Sequence, residues 1–335
     1  MAKLKVGING FGRIGRVLFR EGFEKFDVVG INSLDSIQGN AHLLKYDSAH
    51  GIFPGEVSHN ENSIVVNGKS IPVTKFKNPE EIPWKAWGAD IVLECTGAFK
   101  SKEDFMKHIT AGAKRVLVSG PAEKGADLTT VFGINHMTYD PKTHFVVSNA
   151  SCTTNCLAPV AKILNDAFGI DHGTMMTIHS YTNDQKILDA PHSDMRRARA
   201  AAVSMIPTTT GAAKNVGLVL PELKGKIDGI SIRVPTPNVS IVDFTFQSKT
   251  DVTVESVNNA LIEASKGALK GILAVEHAPL VSIDFNGSEI SSTVDAELTT
   301  VMEGNFIKVI SWYDNESGFS ARMLDLTAFI AAKGL

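Results

Sequence analysis

Short apolar, β-branched runs alternate with amphipathic ones through the first part of the chain. Lys3–Asn9 reads as a buried strand, Val17-Leu18-Phe19 as the apolar face of a helix, and Asp27–Asn32 as a second strand. Between the first strand and the helix stands Gly10-Phe11-Gly12-Arg13-Ile14-Gly15. Strand, glycine turn, helix and strand within about 30 residues is the setting in which G-x-G-x-x-G binds a dinucleotide. The first glycine permits the tight turn, the second lets backbone approach a pyrophosphate, and the third lets helix pack on strand. The helix N-terminus adds N–H donors for the phosphates. Further on, Ile64-Val65-Val66, Asn67-Gly68 and Ile71-Pro72-Val73 predict a hairpin with a type I′ turn.

Ile91–Gly97 and Arg115–Ser119 predict two more buried parallel strands, each ending in small polar residues. In open α/β sheets ligands sit beyond the carboxyl ends of the strands, so Thr96, Gly97 and Ser119 join Asn9, Gly10 and Gly12 as candidate cofactor-lining residues. Cys95, inside an apolar run, reads as an inert core residue. After the helix that follows Cys152 the pattern changes to long alternating strands: Thr174–His179, Gly229–Val234, Val239–Phe246 and Phe306–Tyr313, punctuated by helices at Asn215–Leu220 and Val254–Gly267. The fold expected is a doubly wound α/β unit with a mostly parallel sheet, then an α+β unit with a mixed or antiparallel sheet. The apolar run Arg322–Lys333 predicts a last helix that packs back on the first domain. Residues 181–203 lack a period and form a long, polar, Arg-rich loop, a kind of loop that tends to be functional.

Composition narrows the class. A chain of 335 residues suggests two domains, and 43% hydrophobic with 21% charged residues suits a soluble globular protein. A net charge of −3 provides no bulk attraction to nucleic acid or to an anionic membrane. The basic run Arg196-Arg197-Ala198-Arg199 reads equally as a solvated or subunit-contact face and as an anion site. Three cysteines argue against a disulfide scaffold and for a reducing compartment. No signal-like N-terminus is present, and no apolar run approaches the roughly 18 residues of a spanning helix, so a cytoplasmic protein is expected. Paired CxxC motifs and histidines at ligand spacing are missing, so no metal is expected.

The chemistry converges on Ser148-Asn149-Ala150-Ser151-Cys152-Thr153-Thr154-Asn155-Cys156. Phe145-Val146-Val147 leads in as a strand, and Leu157–Leu164 leads out as an amphipathic helix. Cys152 therefore sits at a helix N-terminus with Ser151 or Asn149 as the cap, where free N–H groups and the helix dipole lower a thiol pKa. Cys152 is the candidate nucleophile, and Cys156, one turn on, reads as structural. A thiol nucleophile needs a base. Among ten histidines, His179 leads, ahead of His136 and His192, because it ends a strand before Ser180-Tyr181-Thr182. Arg233, ending a strand, and the hydroxyl- and glycine-rich turn Pro207–Lys214 are candidate anion anchors, and Ser151 and Thr153 add hydroxyls beside the thiol.

Together these segments resemble phosphorylating glyceraldehyde-3-phosphate dehydrogenase. The likeness is carried by INGFGRIGR at the start, HLLKYDS at 42–48, SNASCTTNCLAP at 148–159, HSYTNDQ at 179–185, RRARAA at 196–201, PTTTGAAK at 207–214, RVPTPNVS at 233–240 and WYDNE at 312–316. The resemblance implies a Rossmann domain over 1–150 with the C-terminal helix 316–335 packed on it, a catalytic domain over 151–315, and a homotetramer. It implies that Cys152 attacks the aldehyde of glyceraldehyde 3-phosphate, that a hydride leaves for the nicotinamide, and that inorganic phosphate then attacks the thioester. His179 would take the thiol proton. By the same resemblance Thr182 and Arg233 would bind the substrate phosphate, and Ser151, Thr153, Arg197, Thr210 and Gly211 the attacking phosphate. Arg13 and Ile14 would meet the pyrophosphate through backbone, and Asn315 the nicotinamide carboxamide. Residues 181–203 would reach a neighbouring subunit's cofactor site.

Departures from the family pattern fall on the cofactor. NAD-specific members carry an acid after the second strand, where this chain has Asn32-Ser33, and a leucine before proline in the long loop, where it has Ala190-Pro191. With that acid replaced by Ser33, Ala190 in place of leucine, and Lys77 within reach, NADP is expected as a cofactor beside NAD, while Asp35 opposes it. Phe319 and Ser317 replace the residues the family usually sets beside the nicotinamide. Two alternatives remain: an erythrose-4-phosphate dehydrogenase using water as acyl acceptor, and a catalytically silent dinucleotide-sensing protein.

Overall fold

The computed structural model describes residues 3–122 and 125–335. The alternating runs fold as two units. The first comprises residues up to 132, 136–150 and 320–335; the second comprises 133–135 and 151–319.

The first unit follows the sequence closely. Strand β1 (Lys5–Asn9) turns through the glycine motif into α1 (Arg13–Gly22), then come β2 (Asp27–Asn32), α2 (Ile37–Lys45), β3 (Tyr46–Asp47) and β4 (Gly51–Ile52). After these stand β5 (Val57–His59), β6 (Ser63–Val66), β7 (Lys69–Thr74), α3 (Trp84–Trp87), β8 (Ile91–Glu94), α4 (Lys102–Thr110), β9 (Arg115–Val118), β10 (Leu128–Thr129) and β11 (Val146–Ser148). Nine strands form one sheet in the order β10-β11-β9-β8-β1-β2-β7-β6-β5. All pairs from β10 to β7 are parallel, and only the β5-β6-β7 end is antiparallel. The central strands are buried on both faces, as parallel strands covered by helices must be. Asn67 and Gly68 both have positive φ, as the expected type I′ turn requires.

The second unit begins at α5 (Cys152–Phe168) and continues through β12 (Ile170–Ser180), β13 (Ile206–Thr209), α6 (Ala212–Val219), β14 (Ile227–Val234), β15 (Ser240–Ser248), α7 (Val254–Lys266), β16 (Leu273–Glu276), β17 (Ser292–Met302) and β18 (Phe306–Tyr313). Its seven strands form a mixed sheet, β13-β14-β12-β15-β18-β17-β16, parallel only at β12–β14 and β16–β17. The last helix, α8, spans Ser317–Lys333, and from Ser320 onward it belongs to the first unit.

Two local expectations change, and one strand carries no sequence signal. Pro207–Thr209 is part of edge strand β13 rather than of a turn; an edge is where a strand tolerates the missing proline donor. Strand β17, 11 residues long, follows no simple apolar alternation, because five consecutive residues at its start are buried. Cys95 lies one residue past β8, only partly covered, and lines a cavity instead of the core.

Candidate active site

The glycine motif works by sterics that the structure makes explicit. Gly10 has φ +90, and a Cβ there would sit 2.7 Å from the Thr96 backbone nitrogen. At Gly15 a Cβ would fall 2.1 Å from the Gly10 carbonyl, so only glycine lets α1 pack on the turn. A Cβ on Gly12 would meet nothing within 4 Å, which leaves open room against bare backbone at the helix start. This turn borders a cavity of about 430 Å³, also lined by Asn9, Asn32, Ser33, Asp35, Lys77 and Thr96. Arg13 and Ile14 open α1, and the Arg13 guanidinium turns away to a bidentate pair with Asp47 at 2.6 and 3.1 Å.

Beneath the cavity runs a buried polar network that sequence reasoning missed. The Trp84 indole donates to His108 Nδ1 at 2.9 Å, so His108 carries its hydrogen on Nε2 and donates to Glu94 Oε2 at 3.0 Å. The other Glu94 oxygen accepts the Thr96 backbone N–H at 2.8 Å and the Thr96 hydroxyl. Asn9 donates to Glu94 and accepts from Asn32 at 2.8 Å. Asn32 is then tied to Thr74 and Phe76 by three bonds of 2.9 Å. Asn9 therefore lines the cavity with both ends of its amide engaged in the floor. Ser119 is half-buried and donates its backbone N–H to Glu94, and Gly97 has φ +64. The available signal was Glu94 itself: a carboxylate in the apolar run Ile91–Leu93 demands buried donors.

Cys152 begins α5 in the second unit. Ser151 is the N-cap, its hydroxyl accepting the Thr154 N–H at 3.1 Å. Ala150, just before it, has φ +52, a left-handed turn uncommon outside glycine. Cys152 Sγ lies 3.5 Å from His179 Nε2. His179 Nδ1 lies 2.6 Å from the Ser180 carbonyl, a contact that requires hydrogen on Nδ1 and leaves the Nε2 lone pair facing the thiol. Arg233 Nη1 lies 3.0 Å from that same Nδ1, where it competes with the ring's own hydrogen, and donates to the Ser180 carbonyl at 3.2 Å.

Electrostatics here departs from the expectation of a lowered thiol pKa. Burial pushes the Cys152 thiol up, outweighing Arg233 and the N–H groups of Thr153 and Cys152, which pull it down. Burial and then the Arg233 charge push His179 down to about 3. Burial thus favours the neutral form of both groups. Cys156 is fully buried against Ser292 and Ser311, its thiol pushed up to about 12, an inert structural position.

Similarity to known proteins places this geometry. Residues 4–102 match the family described as glyceraldehyde 3-phosphate dehydrogenase, NAD binding domain, and residues 151–315 match that family's C-terminal domain. The chain belongs to the glyceraldehyde-3-phosphate dehydrogenase family. It is 60% identical over 334 residues to glyceraldehyde-3-phosphate dehydrogenase of Geobacillus stearothermophilus, covering 99% of both chains. It is 58% identical to glyceraldehyde-3-phosphate dehydrogenase 1 of Bacillus cereus and 56% identical to the enzyme of Xanthobacter flavus, again over 99% of each chain.

The other residues singled out by likeness to the dehydrogenase family stand as follows. The Thr182 hydroxyl rests on Gln185 Oε1 at 3.3 Å. Two buried donors, Arg233 Nε and Gln185 Nε2, have no partner among the described residues, which suits an anion site. Arg197 is already held by Asp184 at 2.6 Å, Thr208 at 2.9 Å and the Thr209 carbonyl at 3.2 Å. Thr210 accepts the Ala212 N–H at 3.2 Å, and Gly211 is exposed at the start of α6. Thr153 is buried, its hydroxyl 2.9 Å from that of Tyr313. Tyr313, which also meets Thr177 at 2.8 Å and stands edge-on to the His179 ring, is a support residue the sequence did not signal. Asn315 Oδ1 accepts from Ser180 at 2.8 Å and Ser240 at 3.0 Å, which leaves its Nδ2 as a donor in a fixed orientation. Ser33 is buried against Asn40, Lys77 is exposed, and Ala190 is exposed on the long loop.

Proposed function

We propose that the protein is a phosphorylating glyceraldehyde-3-phosphate dehydrogenase, oxidising D-glyceraldehyde 3-phosphate with NAD(P) and inorganic phosphate to 1,3-bisphosphoglycerate. The observation that carries the reading is the Cys152 Sγ to His179 Nε2 contact of 3.5 Å beside Arg233. As Cys152 Sγ bonds to the aldehyde carbon, His179 Nε2 accepts the thiol proton, and its Nδ1–H stays on the Ser180 carbonyl. The Cys152 backbone N–H and the new imidazolium donate to the developing oxyanion. The bound nicotinamide supplies the hydride acceptor. Cys152 is then left as a thioester, which phosphate attacks at the acyl carbon, returning the sulfur.

Arg233 and Thr182 hold the substrate's own phosphate. Arg197, Ser151, Thr153, Thr210 and Gly211 hold the attacking one, with Arg197 exchanging its Asp184 contact for the anion. The backbone of Gly10–Ile14 holds the pyrophosphate, and Asn315 Nδ2 the carboxamide. Ser33 and Ala190, with Lys77, admit NADP as well as NAD. The assembly is a homotetramer in which the loop 181–203 serves a neighbouring subunit's cofactor.

Turnover is the test, run with each dinucleotide. Reduced cofactor should form from glyceraldehyde 3-phosphate only when phosphate is present, and alkylation of Cys152 should abolish it one for one. Phosphate-independent oxidation of erythrose 4-phosphate, or no turnover with any aldehyde phosphate, would replace this reading. A preference for NAD of about a hundredfold in kcat/KM would remove NADP from it.

A further inference from the structure

Ser33 follows β2, lines the first unit's cavity, and donates its hydroxyl hydrogen to Asn40 Oδ1 on α2 at 3.3 Å. Asn40 is 1% exposed, and its Nδ2 has no partner among the described residues. A buried amide satisfied at one end is destabilising in a way that an apolar side chain of similar size is not, so the orphan calls for a reason. The two ends of the amide are alike in shape and opposite in chemistry. With Oδ1 toward Ser33, the serine proton is consumed and its lone pairs are left for the cavity. With the amide turned over, Nδ2 donates to Ser33 Oγ and the serine proton is released. In the first orientation Nδ2 is left unmet, so turning the amide over gives up no bond at that end.

We propose that Asn40 sets cofactor specificity through Ser33: its amide orientation decides whether Ser33 presents an acceptor, suited to a ribose 2′-hydroxyl, or a donor, suited to a 2′-phosphate. The proposal rests on the reading under Proposed function that Ser33 helps to admit NADP beside NAD, and it sets the Ser33 hydroxyl, which lines the cavity, against the adenosine ribose. Lys77 and Asp35 also line the cavity, both exposed and of opposite charge. They act on the phosphate's charge, while the Ser33–Asn40 pair acts on its hydrogen bonding.

The test is calorimetric Kd for NADP and for NAD on the full-length protein. Asn40→Leu frees the Ser33 proton and should lower the Kd(NADP)/Kd(NAD) ratio about fivefold, the weight of one net hydrogen bond. Asn40→Asp, an acceptor only, should raise it. In a Ser33→Ala background Asn40→Leu should leave the ratio within about twofold, and the same background isolates the charge of the aspartate. A merely structural role would weaken both dinucleotides alike and leave the ratio still. An unchanged ratio in Asn40→Leu, or an equal shift without the Ser33 hydroxyl, overturns the proposal. If the unmodified protein binds no NADP, the NADP reading fails separately. The pair is then read from NAD against 2′-deoxy-NAD: Asn40→Leu should narrow that difference, and an unchanged difference overturns the proposal.

Discussion

Burial disfavours charge on both Cys152 and His179, and Arg233 acts on them in opposite senses. Its charge favours a thiolate and disfavours an imidazolium. A phosphate bound at Arg233, as proposed, would offset that charge and raise the basicity of His179. The folded pKa of His179, about 3, lies below its ordinary 6.5. As pH falls the unfolded chain takes up this proton first. The stability tied to neutral His179 is full above 6.5 and drains, at up to about 1.4 kcal/mol per pH unit, toward 3. Urea unfolding at pH 7 and pH 5 should show the unmodified protein losing roughly 2 kcal/mol relative to His179→Gln over that interval. A gap that does not change with pH would mean that His179 titrates in the fold as it does in the unfolded chain, and a relative gain in stability at pH 5 would mean that it carries a proton in the fold. The place of Cys152 at a helix N-terminus was legible from its motif. The protonation of its thiol was not, because it depends on burial and on Arg233, 81 positions away in the chain.

At the scale of elements, the carboxyl ends of β1, β2 and β8 are joined by side chains as well as by backbone. Glu94, Asn9 and Asn32 tie the three strand ends together, and Thr96 is pinned by Glu94 against the Gly10 turn. Glu94→Gln would place an amide donor where His108, Thr96 and Asn9 all donate. The expected loss is about 1–3 kcal/mol, with weaker dinucleotide binding and unaltered reactivity of Cys152 toward alkylation. Melting curves together with cofactor titration and alkylation rate would check it; full stability in the variant would show that the network is not under strain. The strands and helices themselves were largely readable from the alternation of runs. The floor network was not, since it joins residues from Asn9 to His108 that no local pattern relates. Strand β17 was missed for a similar reason: both of its faces are covered at one end, which erases the period of two.

At the scale of the molecule, two units account for the change of pattern near Cys152, and the last helix returns to the first of them. Among the described residues no helix is long and apolar enough to cross a membrane. The long loop and the link to β13 leave Ile187, Leu188, Met195, Val203 and Met205 between 76% and 85% exposed, a concentration of large apolar side chains that a partner subunit would cover. Sedimentation should give a tetramer. Replacing Ile187 and Leu188 together by glutamate should shift it to smaller species with weakened cofactor binding, while Cys152 stays alkylatable. A monomeric unmodified protein would exclude the assembly.

The amino-acid sequence by itself determined the two-part architecture, the glycine turn and the place of Cys152 at a helix N-terminus. Each of these depends on residues near one another in the chain, where periodicity and sterics act directly. Tertiary structure decided the rest. It set the burial of the cysteine, the partners of the His179 ring, the floor that holds Thr96, and the Asn40 amide behind Ser33. These depend on burial and on charges brought together from distant segments, and only the folded chain excludes the water that would otherwise screen them.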